Sequence, residues 1–407
     1  MHRRIVSEFV DEQSIDDFFA KNLNELFDFY RKHYAYGATT FPKLCVAVSG
    51  GSDSLALLFL ARSWVQKRGM EVFCITVDHK LRKESLDEAV FVQTICESMQ
   101  IKHEVLTWNS KSDEIDRGKL ENLAREARYR LISEFCAKES IGVVLVGHTW
   151  NDQLETFAMR KNCGSSEIGL AGISRIRSLT DDIKLLRPLL YFTRDCLKNF
   201  LRSKKITWKE DPMNDNETFQ RVLWRKKISS YGVEKISALS DEIMRLGEMR
   251  NAVEVKAVAF LRQFCVFPQF CHAIIPLDQF LAEEKATQRE ILRRIIWSIG
   301  GKKYATAISE DLLTKILQGK INTLGRCLLK VKKHEILVLR ENRNVKKMPP
   351  NPDTDDHIAA LRQRRHNISG ETLFGLPYLE QSHRIHGGSI DWPSGFANKM
   401  NLFDIFL

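Results

Sequence analysis

A loop of serines, glycines and one aspartate follows a short apolar run near the start of the chain, and these residue types suit it to bind phosphate. The apolar run covers residues 44–48 and is typical of a buried strand. The loop itself consists of Ser49, Gly50, Gly51, Ser52, Asp53 and Ser54. Two glycines let the backbone turn its N–H groups toward an anion, and the helix expected at residues 55–64 points the positive end of its dipole there. The sequence therefore predicts a polyphosphate site in this loop.

Asp53 is the acidic member of the loop. A carboxylate beside a polyphosphate repels it unless a divalent cation such as Mg2+ lies between them, so we expect Asp53 to hold that cation. The alternative is that Asp53 only caps the helix, as aspartates in a first turn often do. The loop lacks the lysine of a Walker A loop and the glycine spacing of a dinucleotide site. It therefore predicts a phosphate site of another class.

A second polar segment, residues 147–156, also begins where an apolar strand ends. Strands are expected at residues 44–48, 72–77, 103–108 and 143–147, and helices at residues 55–64, 86–99, 120–138 and from 152 onward. Strands that alternate with helices predict an α/β fold, with a mostly parallel sheet and helices on both faces. Ligands of such sheets bind beyond the carboxyl ends of the strands. We therefore expect residues 49–54 and 147–152 to share one cleft.

The pattern changes after residue 230. Helices are expected without intervening strands at residues 233–264, 286–299 and 309–317, and a hairpin at residues 326–340. The sequence thus predicts four parts: a helical lead-in (1–40), an α/β domain (41–230), a helix-rich domain with a terminal hairpin (231–345), and a linker and tail of unassigned fold (346–407).

Composition favours an ordinary soluble protein with a polyanionic partner. The 407 residues are 43% hydrophobic and 28% charged, with a net charge of +10, which favours a polyanionic partner without naming it; a merely basic soluble enzyme would have the same composition. No apolar run reaches the length of a bilayer span, so we expect a cytoplasmic protein without a membrane partner. The nine cysteines form no C-x-x-C pair, which argues against a structural zinc site or an iron–sulfur cluster.

Several segments together resemble the tRNA(Ile)-lysidine synthetase family of the PP-loop ATP pyrophosphatase superfamily. The loop at 49–54 resembles the signature of the superfamily, and residues 147–156 (GHTWNDQLET) resemble the family motif, with departures at Thr149 and Asn151. Residues 77–82 (VDHKLR), 121–129 (ENLAREARY), 187–190 (RPLL) and 208–214 (WKEDPMN) resemble further family motifs in the same order. The resemblance covers residues 41–230 and extends more loosely into the helices that follow.

The resemblance implies a fold, similar to the adenine nucleotide alpha hydrolases, and a reaction. Family members ligate lysine to C2 of the wobble cytidine of the isoleucine tRNA with a CAU anticodon, through an adenylated tRNA, with ATP converted to AMP and pyrophosphate. The implied partners are ATP, Mg2+, L-lysine and that tRNA, and a homodimer is left open. The implied catalytic residues are Asp53, Arg128, His148 and Asp152, with ATP at residues 49–54 and Mg2+ at Asp53 and Asp152.

Basic and aromatic residues interleave between positions 184 and 227, a composition that can follow phosphates and stack an unpaired base. The residues expected to bind tRNA are Arg187, Arg194, Lys204, Lys205, Trp208, Asn214, Arg221 and Arg225.

Two alternatives to a lysidine-forming enzyme remain open. One is a PP-loop tRNA sulfurtransferase, for which Cys163 is the cysteine to examine. The other is a tRNA-binding relative that has lost catalysis, which the departures at Thr149 and Asn151 allow, as does Val222, which follows Arg221 where the family has asparagine.

Overall fold

A computed structural model describes residues 5–9, 11–34, 42–80, 85–108, 117–180, 182–210, 220–269, 272–300 and 308–341. The chain divides into two compact units, one ending at Arg250 and the other beginning at Asn251. The predicted tRNA-binding residue Asn214 and the predicted tail at 346–407 lie outside the described residues. Within the described ranges, no helix combines the length and the apolar character needed to cross a membrane.

The first unit alternates helices and strands. In chain order it contains α1 (Glu12–Tyr34), β1 (Lys43–Ala47), α2 (Ser52–Gln66), β2 (Glu71–Asp78), α3 (Ser85–Ser98), β3 (Lys102–Thr107), α4 (Arg117–Lys138), β4 (Val143–Val146), α5 (Trp150–Asn162), α6 (Glu167–Leu170), β5 (Ile176–Ser178), β6 (Lys184–Leu186), α7 (Arg194–Ser203), α8 (Gln220–Ser229) and the start of α9 (Val233–Phe264). The strands and helices predicted between residues 44 and 160 are confirmed, with boundaries shifted by a few residues.

The described strands of this unit form one sheet in the order β3-β2-β1-β4-β6-β5. All neighbouring strands are parallel except β5, which runs antiparallel to β6. All four residues of β4 are buried, as expected of a strand covered on both faces. On one face, Ile132 and Cys136 of α4 pack against Cys45 and Val144 of the sheet. The α/β fold class is therefore confirmed.

The order of the strands reverses between β1 and β4. Chain connections leave these neighbouring strands in opposite directions across the sheet, which opens a crevice at their carboxyl ends. The predicted phosphate loop follows β1, and residues 147–152 follow β4. The topology therefore places both predicted loops at the same crevice.

The second unit combines helices with an antiparallel sheet. After α9 it contains β7 (Val266–Gln269), β8 (His272–Pro276), α10 (Leu277–Ala282), α11 (Lys285–Gly300), α12 (Glu310–Leu317), β9 (Thr323–Leu324), β10 (Cys327–Val331) and β11 (Glu335–Arg340). The sheet order is β7-β8-β11-β10-β9. Buried side chains of α11, including Ile291 and Ile295, pack in one core with Val338 of β11.

Two sequence predictions for the second unit have different outcomes. The hairpin is confirmed, because β10 and β11 pair antiparallel from Cys327 opposite Arg340 to Val331 opposite Ile336. The expectation of helices without intervening strands is wrong, because β7 and β8 follow α9. Strand β7 is four residues long and contains Pro268, a residue that weakens any strand signal in a sequence. The predicted four-part division stays a proposal. The boundary between the two compact units falls within α9, after Arg250, whereas the predicted boundary follows residue 230.

Candidate active site

The phosphate loop and the segment after β4 are in direct contact at the crevice. A Cβ atom placed on Gly147 would lie 3.1 Å from the backbone carbonyl carbon and oxygen of Asp53 and from the backbone nitrogen of Ser54. That separation is closer than ordinary van der Waals contact, so only a glycine fits there without displacing its neighbours. The structure therefore brings the two predicted loops together in one cleft.

Hydrogen bonds within the phosphate loop fix its shape. Gly50 has a φ of +86°, in the region that favours glycine. The Ser54 hydroxyl accepts a bond from the Ser49 backbone nitrogen at 3.1 Å and donates to the Gly51 carbonyl at 3.0 Å. Ser54, predicted to bind ATP, thus holds the loop closed. No side chain caps the N-terminus of α2, where Gly51 is the N-cap residue, so the first turn presents its backbone N–H groups to the cleft.

Arg194, the first residue of α7, joins three carboxylates from the two loops. Its Nε donates to Asp53 Oδ2 at 3.1 Å, its Nη2 to Asp152 Oδ1 at 2.9 Å, and its Nη1 to Glu155 Oε1 at 3.1 Å. The Arg194 backbone nitrogen also donates to Asn151 Oδ1 at 2.9 Å. Burial lowers the pKa of the guanidinium, but the three carboxylates outweigh burial and raise it. Arg194 is therefore a permanent cation at the centre of the cleft.

The two predicted metal ligands differ in their electrostatic environment. Burial raises the pKa of Asp53 to about 6, although the charge of Arg194 opposes the shift. Burial also acts to raise the pKa of Asp152, but the charge of Arg194 and a bond from the Thr149 backbone nitrogen outweigh it and lower the pKa. The Thr149 nitrogen lies 2.8 Å from Asp152 Oδ2 at the start of α5. Asp152 is therefore the permanently ionised member of the pair, and Asp53 titrates nearer neutrality.

Glu155 of α5 forms ion pairs with two guanidinium groups. Its side chain is 2% exposed, and its Oε1 accepts from Arg194 and, at 2.9 Å, from Arg225 Nε in α8. A buried carboxylate is stable only when it is paired, and here two cations share the task. Glu155 stands within the quoted family motif, but no role was predicted for it.

His148 follows Gly147 at the mouth of the cleft. Burial and the nearby charge of Arg187 lower its pKa to about 3, so its imidazole is neutral. Its Nδ1 atom is buried and has no hydrogen-bond partner among the described residues. A neutral imidazole in this position can orient a bound group by a hydrogen bond, but its low pKa makes it a weak proton acceptor.

The predicted catalytic residue Arg128 lies on α4 and bonds to a histidine at the end of β2. Its Nε lies 3.2 Å from His79 Nε2, and its Nη2 lies 3.1 Å from the same atom. Burial, with a smaller effect from Arg128, lowers the pKa of His79 to about 4. A neutral His79 therefore accepts from Arg128 through Nε2 and carries its proton on Nδ1. His79 was part of a quoted motif without a predicted role.

The predicted tRNA-binding residues occupy contrasting positions. Arg187 is 3% exposed and donates to the Ser174 carbonyl at 2.6 Å, so its burial does not support direct contact with tRNA. Arg194 bonds to carboxylates, as described above. Four others lie at the surface or half-buried around α7 and α8: Lys204, Lys205, Arg221 and Arg225. The half-buried Trp208 ring has Lys198 Nζ 5.7 Å from its centroid.

A further sequence signal was available for Arg194. It begins a helix four positions after Leu190, the last residue of the segment 187–190 that resembles the family, and Asp195 follows it. Its partner Asp53 is 141 positions earlier in the chain, so only the folded topology brings the two together. Among the described residues, no group of three or more His, Cys, Asp or Glu side chains is arranged to hold a metal ion.

Comparison with known families gives a match over half of the chain. The model of the family described as the PP-loop domain matches residues 18–231, which include β1, the phosphate loop and the first residues after α8. A tRNA(Ile)-lysidine synthase from Ruegeria pomeroyi is 31% identical over 304 residues, which are 74% of this chain and 71% of that protein. A protein of the same name from Hyphomonas neptunium is 38% identical over 200 residues, 48% of this chain and 53% of that protein. A third, from Rickettsia akari, is 29% identical over 74% of this chain and 70% of its own length.

Solved structures with a similar fold are more distant. A U34-tRNA thiolase from Methanococcus maripaludis covers 56% of this chain and 79% of its own, with a TM-score of 0.44 and 13% identity. An NH3-dependent NAD synthetase from Campylobacter jejuni covers 58% of this chain and 94% of its own, with a TM-score of 0.34 and 13% identity.

Proposed function

This chain belongs to the tRNA(Ile)-lysidine synthase family of PP-loop proteins, and from that premise we propose that it ligates L-lysine to an isoleucine tRNA. The proposed acceptor is C2 of the wobble cytidine in the CAU anticodon, and ATP is converted to AMP and pyrophosphate. Family membership supports lysidine formation in general terms, and the geometry of the cleft supports the finer steps given below.

One observation carries the proposal. Arg194 bonds to Asp53 in the phosphate loop and to Asp152 after β4, so both loops act on a single cleft at the switch point of the sheet. A nucleotide whose phosphates lie at the first loop would therefore have its α-phosphate beside the second. This is the arrangement that transfer of an AMP group to a base requires.

The proposed reaction has two steps. The O2 atom of the cytosine attacks the α-phosphorus, a P–O bond forms, and pyrophosphate leaves. The amine of lysine then attacks C2, the bond between C2 and O2 breaks, and AMP departs with that oxygen. The amine loses a proton as the new C–N bond forms. Both steps develop negative charge at phosphate, so the protein serves mainly by placing cations and N–H donors.

Three parts of the protein place these cations and donors: the first turn of α2, Arg128 and His148. The uncapped first turn of α2 offers backbone N–H groups to the phosphates. Arg128 presents a planar guanidinium, held by His79, that suits a phosphate oxygen. His148 is neutral and its buried Nδ1 has no partner among the described residues, so it can hold a reacting group by a hydrogen bond; because its pKa is about 3 it is a weak base, and the proton of the amine passes to water.

The donor set fits Mg2+. Asp53 and Asp152 each place a carboxylate oxygen within 3.1 Å of one guanidinium, and carboxylate oxygens are the ligands that Mg2+ prefers in proteins. When bound with ATP, the ion would supply charge neutralisation at the phosphates. The same oxygens bond to Arg194. We therefore propose that the Arg194 side chain leaves the two carboxylates when the ion binds and turns toward the phosphates.

The deciding experiment measures lysine incorporation. The purified protein is incubated with Mg-ATP, radiolabelled lysine and a transcript of isoleucine tRNA with a CAU anticodon. We expect labelled tRNA and release of pyrophosphate that depends on the tRNA. Methionine tRNA, which shares the CAU anticodon, is the matched control and should stay unlabelled. The proposal fails if neither transcript acquires lysine while the protein still binds ATP.

A further inference from the structure

Four arginines converge on one tyrosine at the carboxyl edge of the first sheet, on the face covered by α4. The tyrosine is Tyr129 of α4. The Cζ atom of Arg125 lies 5.2 Å from the centroid of its ring, and that of Arg177, in β5, lies 5.1 Å away. The charge of Arg187 acts on the tyrosine hydroxyl, and Arg128 lies next to the tyrosine in α4. We call Arg125, Arg128, Arg177 and Arg187 around Tyr129 the arginine cluster.

The strand register explains why these residues meet. Arg177 pairs with Leu185 of β6, and paired residues on neighbouring strands point to the same face. Leu185 belongs to the core under α4, together with Ile132 of that helix. Arg177 therefore projects toward α4, where Arg125 and Tyr129 lie four residues apart, one turn along the helix.

The cluster concentrates positive charge. Among the described residues, no hydrogen bond or ion pair joins any of its four arginines to a carboxylate, in contrast to Arg194 with its three. Burial alone would raise the pKa of the Tyr129 hydroxyl, yet the arginines lower it. The charge of Arg187 also helps to lower the pKa of His148. Neighbouring cations cost free energy unless an anion joins them.

Two buried atoms point to the same conclusion. Arg187 Nε and His148 Nδ1 are buried without a hydrogen-bond partner among the described residues. Buried polar atoms are normally satisfied, and a bound ion is one explanation for an exception. Arg125, by contrast, is exposed, so the cluster is open to solvent on its outer side.

We propose that the outer side of the arginine cluster, formed by Arg125 and Arg177, is an anion site separate from the phosphate loop and from Arg128, and that it takes a phosphodiester of the RNA substrate next to the modified nucleotide. The buried Arg187 adds positive charge behind this site without touching the RNA. This inference rests on the proposed function, from which it takes the RNA substrate. The phosphate loop lies after β1, whereas the cluster lies on β5, β6 and α4, beyond His148. A base placed at His148 has its own backbone phosphates on either side, within reach of exposed arginines. Guanidinium groups suit such phosphates because they donate two parallel bonds.

The test substitutes the two accessible members of the cluster, Arg125→Gln and Arg177→Gln, singly and together. Binding of the CAU-anticodon isoleucine tRNA is measured without ATP by fluorescence anisotropy over a series of KCl concentrations. Binding of ATP is measured separately without tRNA. The matched control is Arg68→Gln. Arg68 also lies over an aromatic ring, 4.2 Å from the centroid of Trp64, but it follows the C-terminal end of α2 at the opposite edge of the sheet.

We expect each cluster substitution to weaken tRNA binding roughly threefold to tenfold and to reduce the salt slope of log K by about 0.7 to 1. ATP binding and the Arg68→Gln variant should match the unchanged protein. An unchanged salt slope in the double variant overturns the inference. So does a loss of ATP affinity without a loss of tRNA affinity, since the anion would then be a phosphate of ATP.

Lysine incorporation, measured in the same preparations, separates this inference from the proposed function. If the unchanged protein incorporates lysine and the double variant binds tRNA normally, the inference fails and the proposed function stands. If the double variant loses tRNA affinity but the unchanged protein never forms lysidine, the anion site stands and the proposed reaction fails.

Discussion

Arg194 Nε lies 3.1 Å from Asp53 Oδ2, although 141 positions separate the two residues in the chain. The contact ties the start of α7 to the phosphate loop, and two further bonds extend it to Asp152 and Glu155. Within the described residues the cleft therefore holds three carboxylates and two guanidinium groups, those of Arg194 and Arg225, which leaves one negative charge unbalanced. A ligand that needs these carboxylates must compete with Arg194.

This competition predicts that Arg194→Gln strengthens the binding of a divalent cation in the absence of ATP. Glutamine leaves the oxygens of Asp53 and Asp152 without their positive partner, so the affinity for Mn2+, a paramagnetic stand-in for Mg2+, should rise roughly threefold to tenfold. ATP turnover should fall, because the cation that turns to the phosphates is lost. Electron paramagnetic resonance measures free Mn2+ directly.

The control for this experiment is Arg202→Gln on the same helix. Arg202 is exposed and donates to Asn199 at 2.8 Å, away from the carboxylates. Its Mn2+ affinity should equal that of the unchanged protein. Weaker Mn2+ binding in Arg194→Gln would mean that the arginine holds the carboxylates in place for the ion, and competition would be the wrong description.

Glu155→Gln should destabilise the fold by about 3 kcal/mol. The substitution keeps the shape of the side chain but leaves the guanidinium groups of Arg194 and Arg225 without a shared carboxylate in a buried position. Urea unfolding followed by circular dichroism measures the change. Glu242→Gln is the matched control, because Glu242 pairs with Lys161 at the surface and should change stability by less than about 0.5 kcal/mol. Equal effects of the two substitutions would contradict this prediction.

The sequence was most informative where local pattern and fold agree. Strands β1, β2 and β4 are mostly apolar runs and the helices between the strands are long, so their order alone predicts a parallel sheet with two loops at one edge. Strands β5 and β6 escaped prediction because each has only three residues, too few for a periodic signal. Strand β7 escaped because it follows α9 directly and contains Pro268.

The candidate site was predictable as a set of loops and much less as a set of contacts. Asp53 and Asp152 were placed together because both follow strand ends. Both carboxylates bond to Arg194, the first residue of the helix that follows β6. The position of that helix depends on β6 lying beside β4 in the sheet, which the sequence pattern alone does not give. Ser54 was predicted to bind phosphate, but its hydroxyl bonds to the loop backbone, a choice that depends on the turn geometry.

Gly147→Ala should displace the phosphate loop. The new methyl group would meet the backbone of Asp53 and Ser54 at 3.1 Å, and neither backbone can move without moving the loop. We expect a loss of about 1–3 kcal/mol in stability and a clear loss of ATP affinity. Gly247→Ala is the matched control: no atom lies within 4 Å of its added methyl group in α9, and the change should stabilise the helix by about 0.5–1 kcal/mol. Normal ATP affinity in Gly147→Ala would show that the loop tolerates displacement.

The lowered pKa of His79 predicts the sign of a pH dependence of stability. Its folded pKa is lowered to about 4, from an ordinary value of 6.5, because it is partly buried and lies beside Arg128. Between those values the unfolded chain binds a proton that the folded protein rejects, so stability falls as the pH drops from 6.5 toward 4. His79→Phe removes this group, and its free energy of unfolding should decline less over that range. After allowance for partial exposure, the difference should be on the order of 1 kcal/mol.

Arg128→Gln separates the two causes of the lowered His79 pKa, burial and the neighbouring cation. Without that cation the His79 pKa should rise toward its ordinary value, which an NMR titration of the imidazole measures. A pKa that stays near 4 in that variant would leave burial as the whole cause and remove Arg128 from the electrostatics of His79.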